Sequence, residues 1–107
     1  MGRSVRYSIV QKDGQEHVEE IHKIVVYQFT MGDVEDPDLF AAEPMWKWQE
    51  SEQGKFVMEN SVEPPVWNRH LDLRQYGYTY VITAELEKKK LSEFYLRWGN
   101  DGNHKIR

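Results

Sequence analysis

Residues 21–31 read IHKIVVYQFTM, and the reading of this run decides the fold. Ile21, Lys23, Val25, Tyr27 and Phe29 form one period-2 set, and His22, Ile24, Val26, Gln28 and Thr30 form the other. The density of Val, Ile and Tyr makes it the strongest strand in the chain. Between Ile24 and Val26 both sets are apolar, which predicts a strand central in its sheet.

Upstream, residues 5–12 (VRYSIVQK) place Val5, Tyr7 and Ile9 on one face at strand period. Asp13-Gly14 supplies the positive-φ turn that two-residue hairpins favour, so the return strand starts near Gln15. Downstream, Gly32 and the acidic run DVEDPD end the strand. Asp36-Pro37 is a helix-start signal, an N-cap acceptor followed by proline at the first helical position. A short turn through Leu39, Phe40 and Ala41 then meets Glu43-Pro44, where the missing proline N–H predicts a kink or a break. The main helix is expected from Pro44 to Ser61, ended by Pro64-Pro65. Lys47, Ser51, Gly54, Met58 and Ser61 line one side of it. The small residues among them suggest close approach to a sheet, with Met58 and either Trp46 or Trp48 as anchors.

From Trp67 the pattern returns to strands. WNRHLDL alternates, Gln75-Tyr76-Gly77 turns the chain, and GYTYVITAEL places Tyr78, Tyr80, Ile82, Ala84 and Leu86 on one face. EKKKLS reads as a charged loop, and EFYLRW as a last strand with Phe94, Leu96 and Trp98 in register. The expectation is an α+β fold: an antiparallel sheet of about five strands (ββ-α-βββ) with one main helical segment packed on one face. Residues 1–99 form the domain and 100–107 a flexible polar tail.

Composition narrows the function classes. A chain of 107 residues carries one core. Its 13% aromatic content offsets a modest 39% hydrophobic fraction and argues against disorder. A net charge of −4 gives no electrostatic support for a general nucleic-acid or anionic-membrane surface. Without cysteine there is no disulfide, thiolate nucleophile or Cys-based zinc site, which favours an intracellular or virion setting. No apolar run approaches the roughly 20 residues that span a bilayer. The start MGRSVRYSIV has no signal-peptide core, and Arg6 breaks the N-myristoylation pattern.

Candidate chemistry is sparse. His17, His22, His70 and His104 show no metal-ligand spacing. His70 and Asp72 share a strand face, which is common on exposed strands. Asp33, Glu35, Asp36 and Asp38 resemble the opening of a calcium loop, but Asp38 and Pro44 stand where glycine and glutamate are required, so capping and solvation fit better. Glu43, Glu50, Glu52 and Glu59 read as the wet face of a helix. Lys88-Lys89-Lys90, ringed by Glu85, Glu87 and Glu93, reads as a solvated hairpin tip. No catalytic, cofactor-binding or metal residue is assigned, and no cofactor is expected.

The stretches MGDVEDPDLFAAEPMWKWQESEQGKFVMENSVEPPVW, DLRQYGYTYVITAEL and the closing LRWG, within Met31–Gly99, resemble a family of small uncharacterised proteins of tailed bacteriophages, especially cyanophage-type marine myoviruses. The resemblance implies a phage protein of α+β fold in the host cytoplasm or the virion, and no activity; the N-terminal hairpin lies outside it.

The leading expectation is therefore a non-enzymatic protein–protein interaction module acting in host takeover or assembly. Its candidate surface is Trp46, Trp48, Phe56, Pro64, Pro65 and Trp67, because aromatic side chains left at a surface are typical interface anchors. A single-stranded nucleic-acid binder using tyrosines and the 88–90 lysines is the alternative. A small hydrolase or metal enzyme built on His70, Asp72 and the helix glutamates is the third. The partner expected is a host or phage protein, with no membrane, and an open first strand leaves room for a homodimer.

Overall fold

The structure, a computed structural model, describes residues 4–32, 34–74 and 76–99; the expected tail at 100–107 lies outside them. β1 (Ser4–Lys12) and β2 (Gln15–Met31) form the expected hairpin around Asp13 and Gly14, both at positive φ. Helices α1 (Pro37–Glu50) and α2 (Glu52–Asn60) follow, then β3 (Val66–Asp72), β4 (Gly77–Glu87) and α3 (Lys88–Trp98). The described strands make one antiparallel sheet in the order β1-β2-β4-β3. The fold is α+β, with four strands rather than about five and three helices rather than one main segment.

β2 is central, hydrogen-bonded to β1 on one side and β4 on the other. Its register with β4 pairs Ile24 with Ala84 and Val25 with Thr83, then skips Val26 and pairs Tyr27 with Ile82 and Phe29 with Tyr80. Val26 is thus the extra residue of a β-bulge, which leaves two residues of one strand opposite one of the other. The strand changes phase there. Ile24 and Val26 point to the helix-covered face, and so do Tyr27, stacked on Trp48 with ring centroids 5.7 Å apart, and Phe29, stacked on Tyr80 at 5.2 Å. Each period-2 set is correct for only half of the strand.

The core lies between that face and the helices. Ile24, Val26, Ile82, Ala84 and Leu86 of the sheet meet Trp48, Phe56, Val57, Leu91 and Phe94. The helical segment breaks at Ser51 and not at Pro44, which sits inside α1. Ser51 adopts extended φ/ψ, and its Oγ both donates to the Trp48 carbonyl (2.5 Å) and accepts from the Gly54 N–H (3.1 Å). One hydroxyl therefore closes the end of α1 and caps the start of α2. Gly54 is the close-approach residue, as expected, but the partner is the Trp48 carbonyl rather than a sheet: a Cβ at 54 would collide with it. The Trp48 Nε1–H donates to Gln53 Oε1 at 2.7 Å, so the polar atoms of this corner are paired inside. Met58, expected as an anchor, is exposed, and Phe56 and Val57 take its place. Asp36 holds the cap position before Pro37 at φ 50°, a left-handed conformation Asp tolerates, and its side chain makes no capping bond.

The largest correction concerns residues 88–98, expected as a charged loop and a fifth strand. They form α3, which starts directly from Glu87 at the end of β4. Leu91, Phe94, Tyr95 and Trp98 follow i, i+3, i+4, i+7 spacing and pack inward, whereas Leu96 is 87% exposed. Lys88–Lys90 are the first turn of this helix, not a hairpin tip, with Lys90 Nζ 3.7 Å from Glu93.

Two stability measurements check this architecture. Phe94→Ala is expected to cost about 3–5 kcal/mol in urea unfolding, whereas Leu96→Ala is expected to stay within about 0.5 kcal/mol of the parent. A terminal strand would make the two positions equivalent. Gly54→Ala should cost about 1–3 kcal/mol by forcing the α1–α2 corner apart.

Candidate functional site

The sheet has two unlike faces. Pairing alternates, so the face away from the helices carries Ser4, Arg6 and Ser8 of β1, Glu19, Ile21, Lys23, Val25 and Gln28 of β2, Asn68 and His70 of β3, and Val81, Thr83 and Glu85 of β4. Phase reversal at Val26 is what puts both Val25 and Gln28, three residues apart, on this side. Among the described residues no helix covers this face; the core contacts of α1, α2 and α3 all involve the other one. Among the described strand residues it bears no Phe, Tyr or Trp.

Two halves of the open face differ in how their charges are used. Toward β1, Arg6 forks onto Glu85, Nε to Oε2 at 3.2 Å and Nη2 to Oε1 at 3.0 Å, spanning the intervening strand β2. Lys12 Nζ reaches Glu19 at 2.9 Å and Glu87 at 4.0 Å. These side chains shield Ile21, which is buried on this face between Arg6 and Glu87 in the register. The hydrogen bond from Arg6, with its positive charge in support, holds the Glu85 carboxyl below the ordinary carboxylate range, against a smaller effect of burial. Toward β3, by contrast, the sheet curls into a groove of about 460 Å³ lined by Lys23, Val25, Gln28, Asn68, His70, Val81 and Thr83, with Ser4 at one end. A volume of a few hundred Å³ is in the range of small-molecule sites.

On the helix side, Asp38 at the start of α1 accepts two hydrogen bonds on one oxygen, from Arg69 Nη1 (3.0 Å) and from the Tyr80 hydroxyl (2.6 Å). Asp38 therefore ties the first turn of α1 to β3 and β4, beyond the solvating role its sequence context suggests. Burial raises the Tyr80 phenol above its ordinary pKa, and the Asp38 bond raises it further. The Arg69 guanidinium also lies 4.6 Å over the Tyr78 ring.

Residues singled out from sequence are distributed as follows. Trp48 (5% exposed) and Phe56 are core residues and leave the candidate surface, because their rings already pack on Tyr27, Phe94 and Trp98. Trp46 (61% exposed) lies outside, answering which tryptophan of the pair is buried. Leu39, Ala42 and Trp46 share the outer face of α1 at i, i+3, i+7, opposite Ala41, Met45 and Trp48. Trp67 is 44% exposed and leans on Tyr80, Pro64 is exposed and Pro65 half-buried.

His70 lies on the open face and the helix glutamates Glu43, Glu50, Glu52 and Glu59 on the outer helix surfaces, so the sheet separates them. Asp72 accepts from the Arg74 N–H in the turn after β3. No three His, Asp or Glu side chains come together among the described residues. The groove itself was not legible from sequence, because its polar members come from all four described strands and no two are adjacent in the chain.

No protein-family model, no curated protein and no solved structure matches the chain.

The Arg6–Glu85 fork gives a pH signature. Because the Glu85 pKa is depressed in the folded state, its contribution to stability is present above the ordinary carboxylate range and lost as pH falls through the depressed value. Arg6→Gln should raise the Glu85 pKa in a carboxyl NMR titration. The stability difference between parent and variant should be largest near neutral pH and shrink in acid.

Proposed function

We propose that this chain is a non-enzymatic protein-binding module whose contact surface is centred on the β1–β2 arm. The observation that carries the reading is an exposed apolar row on a hairpin that extends beyond the four-stranded sheet. Pairing of β2 with β4 ends at Ile21–Glu87, so Tyr7–Lys12 and Gln15–Glu20 pair only with each other. At about 3.4 Å per residue the arm's strands are about 20 Å long, in a molecule 52 Å long and 24 × 23 Å across, and Lys12 near the tip reaches back to within 4.0 Å of Glu87. Its helix-side face carries Tyr7, Ile9 and Val18, each about two-thirds exposed, continued by Val5 toward the core.

A lone two-stranded ribbon is marginal in water, and an exposed apolar row on it is the usual mark of a contact surface. β1 is also an edge strand, with one row of backbone donors and acceptors open to another strand. The outer strip of α1, Leu39 and Trp46, offers a second anchor of the kind expected from the sequence.

From the resemblance read in stretches of Met31–Gly99 alone, we further propose a phage context, in host takeover or assembly, with a host or phage protein as partner. A base-stacking sheet surface of the kind RNA-binding sheets use finds little support here. Among the described residues the open sheet face lacks aromatic side chains, and Tyr78 and Tyr80 belong to the face the helices cover.

A photo-crosslinking residue placed at Tyr7 should give a discrete adduct in lysate of the host in which the protein acts, and the same residue at Lys55 on α2 should not. Ile9→Ser with Val18→Ser should abolish the adduct while leaving the melting temperature within a few degrees of the parent. An adduct containing only this chain, with sedimentation at dimer mass, would replace the partner by a second copy. No adduct from Tyr7, or equal labelling from both positions, contradicts the proposal.

A further inference from the structure

The geometry points to a second, independent site: the groove on the open face binds a small organic anion that has a flat apolar body. Three observations carry it. First, its floor is apolar, formed by Val25 and Val81 on the two central strands, beside the bulge in β2. Second, its rim holds polar side chains that are uncommitted. Among the described residues, Lys23, Gln28, Asn68 and His70 make no side-chain hydrogen bond or ion pair, while the charges on the adjoining half of the same face are paired with one another. Third, the groove's one lysine is only partly compensated: Glu85 feels its charge across the strand pair but makes no direct ion pair with it. Glu85, the carboxylate opposite Lys23 in the register, has both oxygens engaged by the Arg6 fork, and among the described residues no carboxylate lies within 4.0 Å of the Lys23 ammonium.

These features select a ligand class. The valine floor favours an aromatic ring or a short branched chain, which gains by leaving water. A carboxylate or sulfonate on that body answers the Lys23 ammonium. The amides of Gln28 and Asn68 and the imidazole of His70 can donate or accept at the edges of the ligand. A cationic ligand meets no free acid on the floor or the rim of this groove. A long anionic polymer would lack the row of cations its phosphates require.

The test uses the full chain, ¹⁵N-labelled, titrated with benzoate and with two isosteres, benzylamine and benzyl alcohol, followed by amide shifts. Benzoate is expected to move amides of residues 23–28, 68–70 and 81–83, with millimolar saturation, and the isosteres to do so several-fold more weakly. Lys23→Gln should weaken benzoate binding by about fivefold, the scale of an exposed ion pair, and Lys88→Gln, on α3, should leave it unchanged. The shifts of Lys23→Gln in the absence of benzoate report whether the fold is retained. Saturation with equal affinity for all three probes, shifts confined to the β1–β2 arm, or indifference to Lys23→Gln in a folded variant would each overturn the assignment. None of these outcomes depends on the arm having a protein partner.

Discussion

Everything in this molecule depends on one extra residue in the central strand. Val26 opposes no partner of its own on β4, and the strand changes phase across it. Without it, a sheet with Ile24 facing the helices would turn Tyr27 and Phe29 to the opposite side, since side chains alternate strictly along an unbroken strand. With it, Ile24, Val26, Tyr27 and Phe29 all reach the covered face, where Tyr27 stacks on Trp48 and Phe29 on Tyr80. A bulge also increases local twist and bend. The curl that makes room for the core on one face and the groove on the other is centred on this part of the sheet.

The helices close over that face by local devices. Ser51 ends one helix and starts the next within a single residue, and Gly54 lets the two come into contact. Asp38 fastens the beginning of α1 to Arg69 and Tyr80, and α3 brings Leu91 and Phe94 onto β2 and β4 from the other end. Pairing with β4 stops at Ile21, beyond which β1 and β2 continue as a two-stranded hairpin that Lys12 ties back to Glu87. Core, groove and arm are thus consecutive parts of one long strand: bulged and covered in the middle, curled beneath, and bare toward its N-terminal end.

Much of this was legible in the sequence, and the failures have physical causes. The hairpin, the centrality of β2, the Tyr80–Leu86 face of β4 and the proline stop at 64–65 all rest on strong local signals and stand in the structure. The bulge was hidden because both period-2 sets of β2 are apolar where the phase changes, so neither register is penalised. α3 is ambiguous in sequence because Phe94, Leu96 and Trp98 satisfy strand alternation as readily as Leu91, Phe94, Tyr95 and Trp98 satisfy helical spacing, and no glycine or proline separates β4 from the helix. Pro44 is a weaker signal than its missing donor suggests: a single lost donor did not end α1, whereas Ser51, able to serve two helix ends at once, did. The exposure of Trp46 and the burial of Trp48 turned on the position of that break.

The central claim is the register around Val26, and cross-strand backbone NOEs in the isotope-labelled protein test it most directly. The account requires Ile24 opposite Ala84 and Tyr27 opposite Ile82, with side-chain contacts from both Val26 and Tyr27 to residues of the helix-covered core. An unbroken ladder, with Val26 opposite Ile82 and Tyr27 opposite Val81, would contradict it and would remove the basis for both the core and the groove described above.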